Sequence, residues 1–297
     1  MPYEQLTDRV GWIPGGVNTG VIRLDDRRVA VVDPGLNDTS GKRVVKTVRQ
    51  ELGSDVVAIV TTHAHADHFG ANATVVRRTG AEVWAPAIEE FILRFPVLQP
   101  AMLYGGADPV YSLRTGFLLA ERSPVDHVVD GPSFAMDGVE VEVVPLWGHS
   151  ARQVGFLIDD VFFCADILLP ETALAKYPIP YLFGLTDHLA SLDSLSGIAF
   201  TTAVPGHGSA MTDLGERLSA NRTSIDRVGE AILEATAEPA ELGDIVAAVA
   251  RRLGAALVDA PSYYLVQPTV AAFLSHLERS GTIQHEIAEF RSLWRRR

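Results

Sequence analysis

The chain has 297 residues, with 37 acidic against 25 basic side chains and a formal net charge of −12. Apolar residues make up 47% and charged residues 21%, which excludes a disordered chain. The acidic balance argues against an extended nucleic-acid surface, because phosphate backbones are held by clustered Lys and Arg.

A single cysteine, Cys164, excludes an intramolecular disulfide framework and a Cys-only zinc site, leaving nine histidines as the plentiful nitrogen or sulfur ligands. At about 100–200 residues per domain, the length suits one large domain or one large plus one small. Met1-Pro2-Tyr3-Glu4-Gln5 lacks the basic-then-apolar pattern of a secretory signal, and no apolar run reaches the roughly 18 residues of a membrane span. The chain therefore reads as a soluble, cytoplasmic protein without membrane contact.

Segments 17–24 and 28–33 read as strands, broken by Asp33-Pro34-Gly35. Ser40 is a candidate cap for a helix reaching about Leu52, with Val44, Val45 and Val48 at helical spacing. The apolar run 56–60 suits a doubly buried strand, and a helix is predicted over 69–79. Prolines 86, 96, 100, 109 and 124 punctuate an irregular stretch, 85–125, which reads as a lid over a site. Val139-Glu140-Val141-Glu142-Val143 alternates as a half-exposed strand, and Asp159-Asp160 turns a hairpin between 155–158 and 161–164. A helix over 189–198, a strand over 201–204 and three helices over 225–235, 242–253 and 270–280 complete the pattern, followed by an extended piece at Gly281-Thr282-Ile283.

The chemistry is concentrated in His63-Ala64-His65-Ala66-Asp67-His68, directly after a buried strand. The alanines leave room for the four polar side chains to converge, and imidazole with carboxylate is the ligand set of hydrolytic zinc. His149 in Trp147-Gly148-His149-Ser150, Asp166 after the 161–165 strand and His207 in Pro205-Gly206-His207-Gly208 also fall at strand ends, where α/β proteins place their chemistry.

In order and approximate spacing, His63-x-His65-x-Asp67-His68, His149, Asp166 and His207 resemble the motifs of the metallo-β-lactamase-fold hydrolases, over roughly residues 10–210. Asp33 matches the Asp of the family's first motif, which normally holds the loop. The resemblance implies an α/β fold: a four-layer αββα sandwich over residues 1–222, with insertions at about 85–125 and 170–188. It implies one metal on His63, His65 and His149 and a second on Asp67, His68 and His207, with Asp166 bridging. Two Zn2+ are the default, with Fe or Mn possible. A metal-bridging hydroxide would be the nucleophile, and Asp67 would double as its proton acceptor. His at position 65 looks unlike the di-iron members, and the bridging Asp166 argues against antibiotic hydrolysis.

Residues 223–297 resemble the winged-helix extension of the β-lactamase-like 2 group, within a glyoxalase-II-like set. From Thr223 onward there are 8 Arg, no Lys and 10 acidic residues, net −2, so nucleic acid is an unlikely partner and packing or a homodimer contact is the expected job.

The leading function is hydrolysis of a small-molecule ester, thioester or lactone, with Phe91, Phe95, Tyr104, Tyr177, Tyr181 and Phe183 as candidate acyl-pocket residues. A phosphodiesterase or ribonuclease is the alternative; its candidate cations, Arg114, Arg122 and Arg152, are scattered. A persulfide-dioxygenase-like or regulatory role ranks last. His127, His188, His276 and His285 read as surface or capping residues, with His188 the one that could face substrate, and Cys164 reads as a buried structural thiol on the face that Asp166 shares.

Overall fold

The computed structural model describes residues 2–297. Its first sheet takes seven strands in chain order: β1 (Glu4–Gln5), β2 (Val10–Ile13), β3 (Thr19–Arg23), β4 (Arg28–Val32), β5 (Asp55–Val60), β6 (Glu82–Pro86) and β7 (His127–Val129). Strands β1 to β4 pair antiparallel, and β4 to β7 pair parallel. The second sheet contains β8 (Ser133–Met136), β9 (Val139–Pro145), β10 (Val154–Ile158), β11 (Val161–Ala165) and β12 (Thr202–Pro205), in the order β12-β11-β10-β9-β8. Only its β11–β12 pair is parallel.

Side-chain alternation along the strands dictates the layers. Ala30 and Val32 of β4 meet Val161 and Phe163 of β11 in a core between the sheets. Their neighbours Val29 and Val31 face outward onto Val44, Val45, Val48 and Val75, which lie on α1 (Asp38–Thr47), its π-helical extension Val48–Leu52 and α3 (Asn72–Thr79). On the other side, Phe162 and Cys164 face Leu185, Leu192, Leu195, Ile225 and Val228. The result is helix, sheet, sheet, helix.

Several elements begin earlier than their sequence pattern predicts. Helix α1 starts at Asp38 because Asn37 Oδ1 accepts the Ser40 N–H at 3.2 Å, so Asn37 and not Ser40 is the cap. The predicted 69–79 helix is two pieces, the short α2 (Ala66–Phe69) and α3. The 85–125 stretch is partly helical, with α4 (Glu89–Arg94), α5 (Leu98–Leu103) and a 3-10 turn at Tyr111–Leu113. After α6 (Glu171–Lys176), α7 spans Leu185–Ser194, because His188 completes a buried stripe with Leu185 and Leu192 at helical spacing. Helix α8 (Gly215–Ala235) runs unbroken through Arg222.

Helix α9 (Leu242–Leu253) ends at left-handed Gly254, and α10 (Ala260–Arg279) starts at a reciprocal cap between Asp259 and Ser262. Interior Pro268, which cannot donate to the helix ladder, masks its first half from sequence periodicity. A hairpin of β13 (Ile283–Ala288) and β14 (Arg291–Arg296) closes the chain. The outer core behind the second sheet continues without interruption into Ile245, Val249, Val270 and Phe273, so these helices share it. No described helix is long and apolar enough to cross a membrane.

Candidate metal centre

The loops that leave β5, β9, β11 and β12 meet at one edge of the two sheets. His63, His65, Asp67 and His68 follow β5, with His65 just before α2 and Asp67 and His68 within it. His149 lies between β9 and β10, Asp166 directly follows β11, and His207 follows β12. Backbone bends aim these residues: Asp33, Ala165 and Gly148 have φ of 51°, 47° and 110°. The bend at Ala165 breaks the strand alternation, so Asp166 turns to the site while Cys164 stays in the outer core, off the face it was expected to share with Asp166.

Two groups of ligand atoms result: His63 with His65 and His149, and Asp67 with His68 and His207. In the first, His65 Nδ1 lies 3.0 Å from both His63 Nε2 and His149 Nε2. Asp166 Oδ2 reaches both groups, at 3.6 Å from His149 Nε2, 3.4 Å from His68 Nε2 and 3.3 Å from His207 Nε2. His207 Nε2 is 3.4 Å from Asp67 Oδ2. A third overlapping group would use Asp33 with His63 and His68. Asp33, however, already accepts from the Thr62 amide and hydroxyl at 2.9 and 2.6 Å and from His68 Nδ1 at 2.9 Å, which makes it a support.

Surrounding acceptors fix the ring tautomers. His68 Nδ1 donates to Asp33, His207 Nδ1 donates to the Gly16 carbonyl at 2.6 Å, and His63 Nδ1 donates to the Thr62 hydroxyl at 3.0 Å, whose own proton goes to Asp33. Each arrangement leaves Nε2 facing the centre. Buried His68 Nε2 and Asp166 Oδ1 have no hydrogen-bond partner among the described residues. Gly206 backs this spot so closely that a methyl group there would collide with Asp166 Oδ1 and His68.

The electrostatics fit a cation. Burial, then neighbouring imidazoles, hold His63 well below the ordinary histidine range, as burial and His65 do for His149; burial likewise takes His65 down to about 4. Burial would raise Asp67, but His68 and a hydrogen bond from His207 outweigh it and hold Asp67 at about 2. Asp166 is likewise held well below its usual value against burial by His68 and His207. Asp166 in turn lifts His207 to about 10, and together with Asp67 it raises His68 against burial. One group thus presents neutral nitrogens and the other presents carboxylates balanced by protons, a donor set that suits divalent metal.

Glu89, absent from the sequence-based candidates, is the buried brace beside this centre. Its carboxylate accepts from the Ala64 amide at 2.8 Å and from the Ser150 hydroxyl and Arg152 amide at 2.7 Å each. Burial raises its pKa against those three donors. His188, taken as a surface or capping residue that could face substrate, is buried behind Gly148 and does not line the cavity; burial brings it down to about 4. His127 stacks on Trp84 at 4.0 Å, while His276 and His285 pair with Thr186 and Ser292.

Above the ligands opens a cavity of about 720 Å3, with His65, Asp67, His149, Asp166 and His207 in its floor. Of the six aromatic candidates, Tyr177 and Tyr181 line it. Phe91, Phe95 and Phe183 are exposed, and Tyr104 packs on Tyr264 at 5.1 Å, outside the lining. Phe117, Leu169, Ile179, Leu257, Leu265 and Val266 supply much of the apolar wall. Arg114, Arg122 and Arg152 do not reach the cavity; Arg152 lies over the Trp147 ring at 3.8 Å and Arg114 pairs with Asp108.

A two-sheet sandwich carrying His and Asp groups at its strand ends defines a metal-dependent hydrolase. The metallo-beta-lactamase superfamily profile matches residues 12–207, and the chain belongs to that superfamily. It is 27% identical over 242 residues to a hydroxyacylglutathione hydrolase of Albidiferax ferrireducens, covering 75% of this chain and 77% of that protein. An atrochrysone carboxyl ACP thioesterase of Pseudocercospora fijiensis is 24% identical over 295 residues, covering 94% of this chain and 78% of its own length. Among solved structures, a beta-lactamase domain protein from Burkholderia ambifaria superposes with a TM-score of 0.77 at 20% identity, over 100% of this chain and 95% of that one.

Proposed function

We propose that this chain is a binuclear hydrolase of carboxylic esters, thioesters or lactones. The observation that carries this reading is the double ligand group, shared through Asp166, in the floor of a cavity with largely apolar walls. His63, His65 and His149 would hold one ion and Asp67, His68 and His207 the other, with Asp166 between them. Zinc is the first choice for this donor set, with iron or manganese as alternatives. Bound ions would supply an activated water near neutral pH and polarise the substrate carbonyl.

The chain's own groups do the rest. Asp67, held ionised, would accept a proton from an attacking water. The tautomer supports Asp33, Thr62 and the Gly16 carbonyl keep the imidazole lone pairs facing inward. In this reading residues 1–222 carry the chemistry, and residues 223–297, with the helix and hairpin order of a winged helix, help to wall the cavity. Lys176 is the one Lys or Arg among the described residues lining the cavity, and this favours an acyl substrate over a phosphodiester. The relatives' names, a hydroxyacylglutathione hydrolase and an ACP thioesterase, favour it too.

The test is a panel of aryl esters, acyl thioesters, lactones and bis-p-nitrophenyl phosphate, run beside His149→Ala and Asp166→Ala. The carboxylic substrates should dominate, and each variant should lose hydrolysis and retain one metal equivalent or less. A dominant phosphodiesterase rate, or full activity in either variant, would overturn the reading.

A further inference from the structure

We propose that the substrate carries an extended apolar acyl group, and that the 255–266 segment of the C-terminal unit is the wall that sets its length. The proposal rests on the ester and thioester reading above and adds the acyl class and the residues that select it. The cavity runs from the His and Asp floor to Ala255, Ala256 and Leu257 after α9 and to Leu265 and Val266 on α10. Leu169 and Ile179 line the same cavity, so aliphatic groups from both parts of the chain supply much of its lining beyond the ligands.

This wall is built in advance. The reciprocal cap between Asp259 and Ser262 pins the loop where α10 begins. Leu265 packs against the cluster of Leu103, Leu113 and Leu118, so the first insertion and the C-terminal unit form one roof. A preformed roof loses little conformational freedom when a ligand enters.

The chemistry of the lining selects the ligand. An alkyl chain leaving water for such walls gains about fourfold in affinity per methylene buried. A chain bearing carboxylates or an ammonium group would bury charges with few partners, since exposed Lys176 is the one Lys or Arg that lines the space among the described residues. Ala256 lines this space and is exposed, outside the buried core, so a larger residue there narrows the cavity without displacing core packing.

Two measurements on the metal-loaded full chain test this. The first follows kcat/KM along p-nitrophenyl esters from acetate to dodecanoate; the second follows laurate binding by calorimetry. The wild-type protein should favour octanoate over acetate at least tenfold and bind laurate, while Ala256→Trp should lower the octanoate-to-acetate ratio and the laurate affinity at least tenfold each. A flat or falling series, an equal loss for all chain lengths in Ala256→Trp, or no laurate binding by the wild type would overturn the proposal. Laurate binding without turnover of any ester would support the acyl wall and defeat the hydrolase reading. If Ala256→Trp fails to fold, the wild-type series and laurate titration still decide the matter.

Discussion

Glu89 and Ser150, 61 residues apart in the chain, meet in a 2.7 Å hydrogen bond beside the candidate metal centre. The same carboxylate holds the amides of Ala64 and Arg152, so one buried side chain ties the loop carrying His63 and His65 to the loop carrying His149. The three nitrogens of the first ligand group come from those two loops, and their spacing depends on this brace.

Glu89→Ala leaves three donors facing an emptied, buried position. Each unsatisfied donor costs about 1–3 kcal/mol, and the loss of an outer support typically weakens metal affinity about 10–100-fold. We expect a loss of about 3 kcal/mol or more in denaturant unfolding and at least about a tenfold weaker zinc affinity in chelator competition. Glu89→Gln, which keeps one acceptor oxygen, should fall between. Wild-type metal affinity in Glu89→Ala would show that the loops hold their register without the brace.

Individual strands were legible because buried strands write themselves as apolar runs, as in 56–60, or as strict alternation, as in 139–143, whereas their stacking into a sandwich came only from the family resemblance. The seven ligand candidates were legible because polar residues cluster where those strands end. Glu89 carries no such signal: a single glutamate in an irregular, proline-rich stretch looks like surface charge until the loops it spans are folded together. The cavity wall was hidden for a related reason. Aromatics drew attention to Phe91 and Phe95, whereas the lining comes largely from aliphatic residues such as Leu257, Leu265 and Val266, whose spacing fits any amphipathic helix or loop. Pro268 concealed the first half of α10, where two of them lie.

Gly206 offers a test of the second ligand group without touching a ligand. Its φ is not in the left-handed region, so an alanine there is compatible with the backbone; the obstacle is the close approach of Asp166 Oδ1 and His68. Gly206→Ala should push the Asp166 carboxylate out of position, lowering hydrolysis at least about a hundredfold and bound metal below two equivalents, in line with the cost of misplacing a reacting group. Metal analysis of the folded variant checks this. Two tightly bound equivalents with unchanged activity would refute it.

Cys164 should be chemically silent in the folded protein. Its side chain is fully buried in the core behind the second sheet, and burial pushes the thiol up to about 12, far from the thiolate form that reacts. With 5,5′-dithiobis(2-nitrobenzoate) at pH 8, the native chain should release fewer than about 0.1 thiol equivalents in an hour, and close to one equivalent after unfolding. Rapid labelling of the native state would place Cys164 in an open environment.

Metal binding should release protons, and the direction follows from the second ligand group. Without an ion, Asp166 lifts His207 to about 10, so its ring carries an extra proton at pH 7.5, and Asp166 with Asp67 shifts His68 in the same direction. The His207 nitrogen facing the centre must lose that proton before it can donate to a metal. Titrating zinc into the stripped protein in buffers of different ionisation enthalpy should therefore report release of at least about one proton per chain at pH 7.5. The release should fade as pH rises through about 10, where His207 is already neutral.

The same sign governs the stripped protein's stability. The ion pairs of His207 contribute fully below the unfolded histidine pKa of about 6.5 and are lost as pH climbs through about 10. Zinc should raise the melting temperature with the usual logarithmic dependence on free metal, and most at alkaline pH, where proton and ion no longer compete. A zinc-binding enthalpy independent of buffer at pH 7.5 would mean that His207 enters the complex already neutral.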